Sequence, residues 1–307
     1  MQSVAAVVDR QSPAILASVG SSGVEFALPS SIPGDVRGIE RIEASDCPTF
    51  TDALMRFAAH HGLTLRDCRL FMSVAGAVNG STIRPTNGRW FISLSGLSAV
   101  TAGEPMIVND VAAIAWATAD RPKGIGFGSA ADLPRSQEGR HAIASAWRGG
   151  LGAACVDRSE GHVRVISSEA GHTPFAVRDE EDWLMAKACV ARHGDASYER
   201  ILFDLMDGVV LHRRLEGAAL VDVFTTLLGR YAAEVALTFT AWDGLYLWGS
   251  VFEQIAGAHQ GERFRKAFEG HGKLKPMLQQ TPTQLFQLRN GALNGLSILY
   301  TRLMAGG

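Results

Sequence analysis

The stretch "MIVNDVAAIAWA", Met106 to Ala117, runs apolar into one Asn-Asp pair and resumes with small apolar residues at helical spacing. Such a run predicts a buried strand that feeds a helix. Two adjacent polar side chains at the end of that strand stand at its carboxyl edge, where open α/β sheets bind ligands. Taken alone, Asn109 and Asp110 read first as a helix N-cap, because short polar side chains accept hydrogen bonds from the orphan N–H groups of a first turn. A binding or catalytic site is the other reading.

Upstream of this stretch, "VAAVVDR", "PAILASVGSSG" and "VEFALPS" predict three short strands broken by Ser, Gly and Pro. The amphipathic "TFTDALMRFAAHHG", the strand "CRLFMSVAG", a hairpin-like "STIRPTNGRWFIS" and the helix "SLSGLSAVTAG" follow. Antiparallel strands leading into alternating helix and strand predict a mixed sheet with a parallel centre. After a Gly-, Ser- and Pro-rich stretch from Gly124 to Gly139 the pattern restarts with three strand-like runs in "HAIASAWRGGLGAACVDRSEGHVRVISSEAG", then helices from Glu180 to Ala241, the strand "GLYLWGSV" and a last helix from Asn290 to Met304. The β-β-β-α-β opening thus occurs twice, which predicts two related lobes with a cleft between them.

The bulk numbers narrow the function. The chain has 307 residues, 47% hydrophobic and 20% charged, enough for one large or two medium domains with an ample core. A formal net charge of -2 and no run of Lys or Arg offer no basic field for nucleic acid. The start reaches Asp9 after few apolar residues, unlike a signal peptide, and no apolar segment has the ~18 residues of a membrane span. Cys47, Cys68, Cys155 and Cys189 stand far apart, which predicts a reducing cytoplasm and no structural zinc. His60-His61 reads as the last turn of a helix before Gly62.

Several ordered stretches, "MSVAGAVNG", "TNGRWFISL", "MIVNDVAAIAWA", "RGGLGAACV", "SSEAGHTPF", "YERILFDLMDGVVLHRRL", "LGRYAAEVALTF", "LYLWGSV" and "FRKAFEGHGKLKPML", resemble bacterial glucokinases across nearly the whole chain. The resemblance implies an α/β fold of the two-lobed actin-like ATPase (ribonuclease H-like) type, with mixed five-stranded sheets flanked by helices. On that reading residues 1–118 with 291–307 form a small lobe, residues 119–290 a large one, and the sugar lies in the cleft. The implied reaction converts ATP and a hexose, glucose, to ADP and hexose 6-phosphate, with ATP and Mg²⁺ as cofactors. Asp110 takes the role of general base and Asn109 holds the sugar. Glu169 and His172 in "SEAGH", Glu199 in "SYERIL" and Asn87 in "TNGRW" match further sugar ligands. Read without the resemblance, these are exposed loop residues, a helix-surface Glu and an Asn-Gly type I′ turn. Association as a homodimer is left open.

The departures from that family fall in the nucleotide half. Its D-x-G-G-T-N turn is matched to "VDRQSPAIL", leaving Asp9 as the acid that faces Mg²⁺ and Arg10 to Pro13 in the turn, where Pro13 has no N–H to give a phosphate. Its second loop, G-x-G-T-G-L-G, reads "AWRGGLG" with Gly149, Gly150 and Gly152 kept, and Arg148 either replaces a phosphate contact or plugs the site. The adenine-side A-G-G reads "WGSV", keeping Gly249, with Trp248 either stacking on a base or filling its place. A sugar-binding pseudokinase that senses hexose is therefore the alternative function.

Overall fold

A computed structural model of the chain describes residues 13–76, 80–128, 138–148, 150–159, 161–209 and 215–305. Two compact units emerge, Met1–Asp120 with Arg289–Gly307, and Arg121–Leu288. The first holds β1 (Ala14–Val19), β2 (Gly23–Pro29), β3 (Val36–Glu43), α1 (Phe50–His60), β4 (Arg69–Val74), β5 (Thr82–Ile83), β6 (Ile92–Ser93), α2 (Leu94–Val100), β7 (Met106–Asn109) and α3 (Asp110–Ala117). The second holds β8 (Ile125–Gly126), β9 (Arg140–Trp147), β10 (Gly150–Asp157), β11 (Arg164–Ser168), α4 (Glu180–His193), α5 (Tyr198–Met206), α6 (Gly217–Phe239), β12 (Leu245–Trp248), α7 (Ser250–Gln254), α8 (Ala258–Phe268), α9 (Lys275–Gln280) and β13 (Thr283–Leu285). Helix α10 (Gly291–Ala305) returns to the first unit.

In the first unit the sheet order is β3-β2-β1-β4-β7, antiparallel from β3 to β1 and parallel from β1 through β4 to β7. The strand β1 is apolar without alternation because both of its faces are covered. Ile15, Ala17 and Val19 join Phe26, Phe50 and Phe57 in one core layer. Ala14 and Leu16 join Phe71, Ala113 and Leu293 in the other. Helices α3 and α10 approach to backbone contact there: a Cβ on Gly295 would collide with the Ala113 carbonyl. That packing holds the start of α3, and with it Asn109 and Asp110, against the sheet.

The second sheet repeats the scheme as β11-β10-β9-β12-β13, with the two-residue β8 added beyond β13. Its β9–β12–β13 centre is parallel and its β9–β10–β11 side antiparallel. Helices α5, α6 and α8 supply Tyr198, Leu202, Leu228, Tyr231, Phe264 and Phe268 to its core. Among the described residues no helix is long and apolar enough to cross a membrane.

The first of the three expected strands, "VAAVVDR", lies outside the described residues, and the first strand of the described sheet is Ala14–Val19. Pro13 therefore precedes β1, and its carbonyl accepts from Arg69 N at 2.8 Å. The turn that joins β1 to β2 is Gly20–Ser22, closed by Gly20 N donating to Gly23 O at 2.9 Å. Locally "VAAVVDR" and "PAILASV" look alike; the pairing of Ala14–Val19 with Arg69–Val74 puts the second of them beside β4. The third strand is "VRGIERIE", an edge strand with four of its eight positions exposed, whose charges hide its period of two. Asp9, Arg10, Gln11, Ser12 and Gly149 lie outside the described residues.

Candidate active site

At the end of β7 both sequence readings of the Asn-Asp pair meet. Asn109 is the N-cap of α3: its Oδ1 accepts from Val111 N at 2.9 Å and Ala112 N at 3.2 Å. With that oxygen used, the Asn109 amide group is left to act as a donor. Asp110, the first residue of the helix, accepts from Val111 N at 2.9 Å through Oδ1. Its carboxylate thus sits at the positive end of the helix, half-buried.

Asn87 is brought to the same edge of the first sheet by a chain of backbone contacts. Strands β5 and β6 form the hairpin around it. Trp90 anchors that hairpin by donating Nε1 to Cys47 O at 3.1 Å, edge-on to Phe50. Thr86 N donates to Ala75 O at 2.9 Å, one residue beyond β4, and Val74 of β4 pairs with Asn109. Asn87 has φ +56° inside a turn closed by Gly88 N to Pro85 O at 2.9 Å. Gly88 is not in the left-handed region, so the turn is not the type I′ turn expected of Asn-Gly but one with a single left-handed residue at its third position.

In the second unit three expected ligands come together. His172 Nδ1 lies 3.3 Å from Glu199 Oε1, and its Nε2 lies 3.9 Å from Glu169 Oε2. Glu199 Oε2 accepts from Leu151 N at 2.8 Å, which ties α5 to the start of β10. The Glu199 side chain is 16% exposed against 65% and 59% for Glu169 and His172, so one carboxylate is fixed and two groups face outward. Gly171 makes the approach feasible, since a Cβ there would strike the Leu151 carbonyl. The Tyr231 hydroxyl, which pattern reading missed, is fully buried without a hydrogen-bond partner among the described residues, and burial first and then the Glu199 charge push its ionisation up.

The nucleotide-side residues gather at the carboxyl ends of β9 and β12. Gly150 opens β10, and the space a Cβ would take there is empty within 4 Å. Gly152 pairs with Ser145 across the hairpin. Gly249, at φ +114°, must be glycine because a Cβ would meet the Ala146 carbonyl. Trp248 packs edge-to-face on Trp147 with ring centroids 4.5 Å apart, and Trp147 remains 40% exposed. Pattern reading singled out Trp248 and passed over Trp147; their pairing depends on the parallel register of β9 and β12. Arg148 points to Asp207 at 3.2 Å, both side chains exposed.

A protein-family model described as Glucokinase matches residues 15–203 and 209–303. A glucokinase of Chromobacterium violaceum is 28% identical over 311 residues, spanning 93% of this chain and 88% of that one. The chain spans about half the length, 50%, of the Bifunctional protein glk of Burkholderia lata, at 27% identity. Among solved structures, the glucokinase of an Antarctic psychrotroph superposes with TM-score 0.76 at 20% identity, covering 95% of this chain and 99% of that one. The glucokinase of Balamuthia mandrillaris, solved in complex with glucose, gives 0.69 at 18% identity over 99% and 96%. These likenesses show the actin-like sugar kinase fold.

Proposed function

The chain belongs to the glucokinase family of sugar kinases, and from that premise we propose that it moves the γ-phosphoryl group of ATP to the 6-hydroxyl of glucose, with Asp110 as the general base. The observation that carries this reading is the Glu169–His172–Glu199 constellation. Two carboxylates and an imidazole offer acceptors and a donor to the several hydroxyls of a hexose. In the first unit, Asn109 and Asn87 carry side-chain amides, donors of the kind sugar hydroxyls accept from. A hydroxyl attacking phosphorus must lose its proton, and a carboxylate within hydrogen-bond reach can accept it. The new O–P bond forms as the bond to the β-phosphate oxygen breaks, and the electron pair leaves with ADP.

The donor half supports the same reading with one reservation of chemistry. Because the family match begins at residue 15, we infer that the β1–β2 turn, Ser18-Val19-Gly20-Ser21-Ser22-Gly23, and not "VDRQSPAIL", takes the place of the family's D-x-G-G-T-N motif. Gly20 and a hydroxyl at Ser22 are retained, and no proline enters the turn. Gly150 leaves backbone open to an approaching phosphate. Family membership implies a divalent metal with the nucleotide, but Ser18 puts a hydroxyl where the motif has its carboxylate. The described residues do not supply a charged Mg²⁺ ligand there, so the ion would arrive on the triphosphate. That same substitution favours the second reading, a hexose sensor with weak ATP use.

Steady-state assay of glucose 6-phosphate formation, with separate calorimetric titrations of glucose and Mg-ATP, tests both. Turnover near ~10 s⁻¹ supports the kinase. Glucose binding without turnover supports the sensor, and no glucose binding defeats both. In the sensor case Ser18→Asp, next to the buried and unpartnered Ser73 hydroxyl, is expected to raise kcat/KM for Mg-ATP by about tenfold.

A further inference from the structure

In the second unit, α6, α8, α4 and the segment before α4 line two adjoining cavities that share Thr226, Arg230 and Arg263. One carries four carboxylates, Asp179, Glu181, Asp182 and Asp222. The other, about 340 Å³, is lined by Arg178, Arg230, Arg263 and Lys266, with Thr226 and Gly270 beside them, and among the described residues no carboxylate reaches its lining.

The guanidinium groups are held mostly by partners outside that lining, though Arg178 Nη1 also donates to Gly270 O at 3.4 Å; Arg230 Nη2 stands 3.7 Å from Asp179. Arg230 Nη1 donates to both oxygens of the buried Asp182, at 2.8 and 2.7 Å. Arg263 Nη2 donates to Asp222 at 2.7 Å. Arg178 Nη2 donates to His271 Nε2 at 3.0 Å and stands 3.8 Å from Glu234. The His271 ring is pushed down to about 4, by burial first and then by the Arg178 and Arg230 charges, so at pH 7 it is neutral and free to accept from Arg178. Two donors are uncommitted: Arg263 Nε is buried without a partner, and Lys266 makes no ion pair among the described residues. A row of oriented guanidinium forks with a nearby ammonium matches the tetrahedral oxygens of phosphate better than it matches any neutral ligand.

We propose that this cavity binds a small phosphate dianion, either inorganic phosphate or the phosphomonoester group of a small metabolite, apart from the residues assigned to sugar and donor. An ion-pair network that merely braces the helices is the competing account. Calorimetric titration of the full chain with inorganic phosphate, and in parallel with glucose 6-phosphate, both at saturating glucose to fill the sugar site, tells them apart. Saturable binding is expected, weakened at least about tenfold by Lys266→Ala and by Arg263→Gln. Lys266 is exposed, so its substitution leaves the fold intact even if Arg263→Gln lowers the melting temperature. Equal affinity for the two probes identifies inorganic phosphate as sufficient, and tighter glucose 6-phosphate identifies a phosphomonoester; both support the site. No saturable binding, or binding that Lys266→Ala leaves unchanged, overturns it. So does glucose 6-phosphate binding that is lost in Glu199→Ala and kept in Lys266→Ala.

Discussion

Set beside each other, the two large sheets share a strand order and differ at their carboxyl edges. Both run from an antiparallel edge into a parallel centre, β3-β2-β1-β4-β7 in one and β11-β10-β9-β12-β13 in the other. In the first, β7 ends on Asn109 and a helix opens with Asp110, two polar groups tied to the N–H donors of α3. In the second, β9 and β12 end on Trp147 and Trp248, paired edge-to-face. A repeated topology places an edge where ligands can bind. It does not say what the edge does; the last residue of each strand does. One edge carries an amide and a carboxylate, and the other presents an aromatic surface.

The contrast breaks most easily at Asp110. Asp110→Asn keeps the size and much of the hydrogen bonding but cannot accept the sugar proton, so kcat is expected to fall ~10²–10⁴-fold while glucose affinity stays within about tenfold. Near wild-type turnover in this variant would move the base elsewhere. Next in size is Glu199→Ala. It removes the acceptor of Leu151 N–H as well as the partner of His172. Glucose affinity should drop by ~1.5–3 kcal/mol, the usual range for hydrogen bonds to a charged group. The same change at the far more exposed Glu169 should cost less, and titration of both variants checks the order. Equal losses would mean that burial does not rank these ligands.

Much of this contrast is readable from the chain, unevenly. The Asn-Asp pair at a strand end, the small-residue helix after it and the Glu–His spacing of "SEAGH" are local signals, and the structure brings Glu169, His172 and Glu199 together as the resemblance implies. The first strand is harder to read, because two strand-like runs stand in tandem and only the long-range pairing with β4 puts the second of them in the sheet. Trp147 was missed for a related reason. It follows five small or apolar residues in "HAIASAW" and reads as the tail of a strand until β12 is laid beside it. Register across a parallel pair is set by chain folding and not by neighbours in sequence.

The aromatic edge gives the third prediction. Trp147 is 40% exposed and meets Trp248 at an angle of 66°, so part of its side chain is open to solvent. A planar base stacked there would contribute ~1–3 kcal/mol. Trp147→Ala is therefore expected to raise the KM for ATP at least about fivefold and to leave glucose affinity unchanged. A lowered KM would instead make the pair an obstruction, and the two edges would then differ as site and plug.

The smallest expected effect belongs to Arg148, which stands in the loop between β9 and β10 beside that aromatic edge. Its pair with Asp207 is 3.2 Å long with both side chains mostly in water, at 77% and 59% exposure. Exposed pairs of this kind contribute ~0–1 kcal/mol, because solvent screens the attraction and two long side chains lose freedom to make it. Arg148→Ala should therefore lower thermal stability by less than about 0.5 kcal/mol. A guanidinium held so weakly could turn to a triphosphate without giving up much. If it does, Arg148→Ala raises the KM for ATP by about two- to fivefold with little change in stability, and Asp207→Ala, which frees the guanidinium, leaves that KM equal or lower. An unchanged KM in both variants would show that the aromatic edge takes its nucleotide without help from the loop that replaced a glycine by arginine.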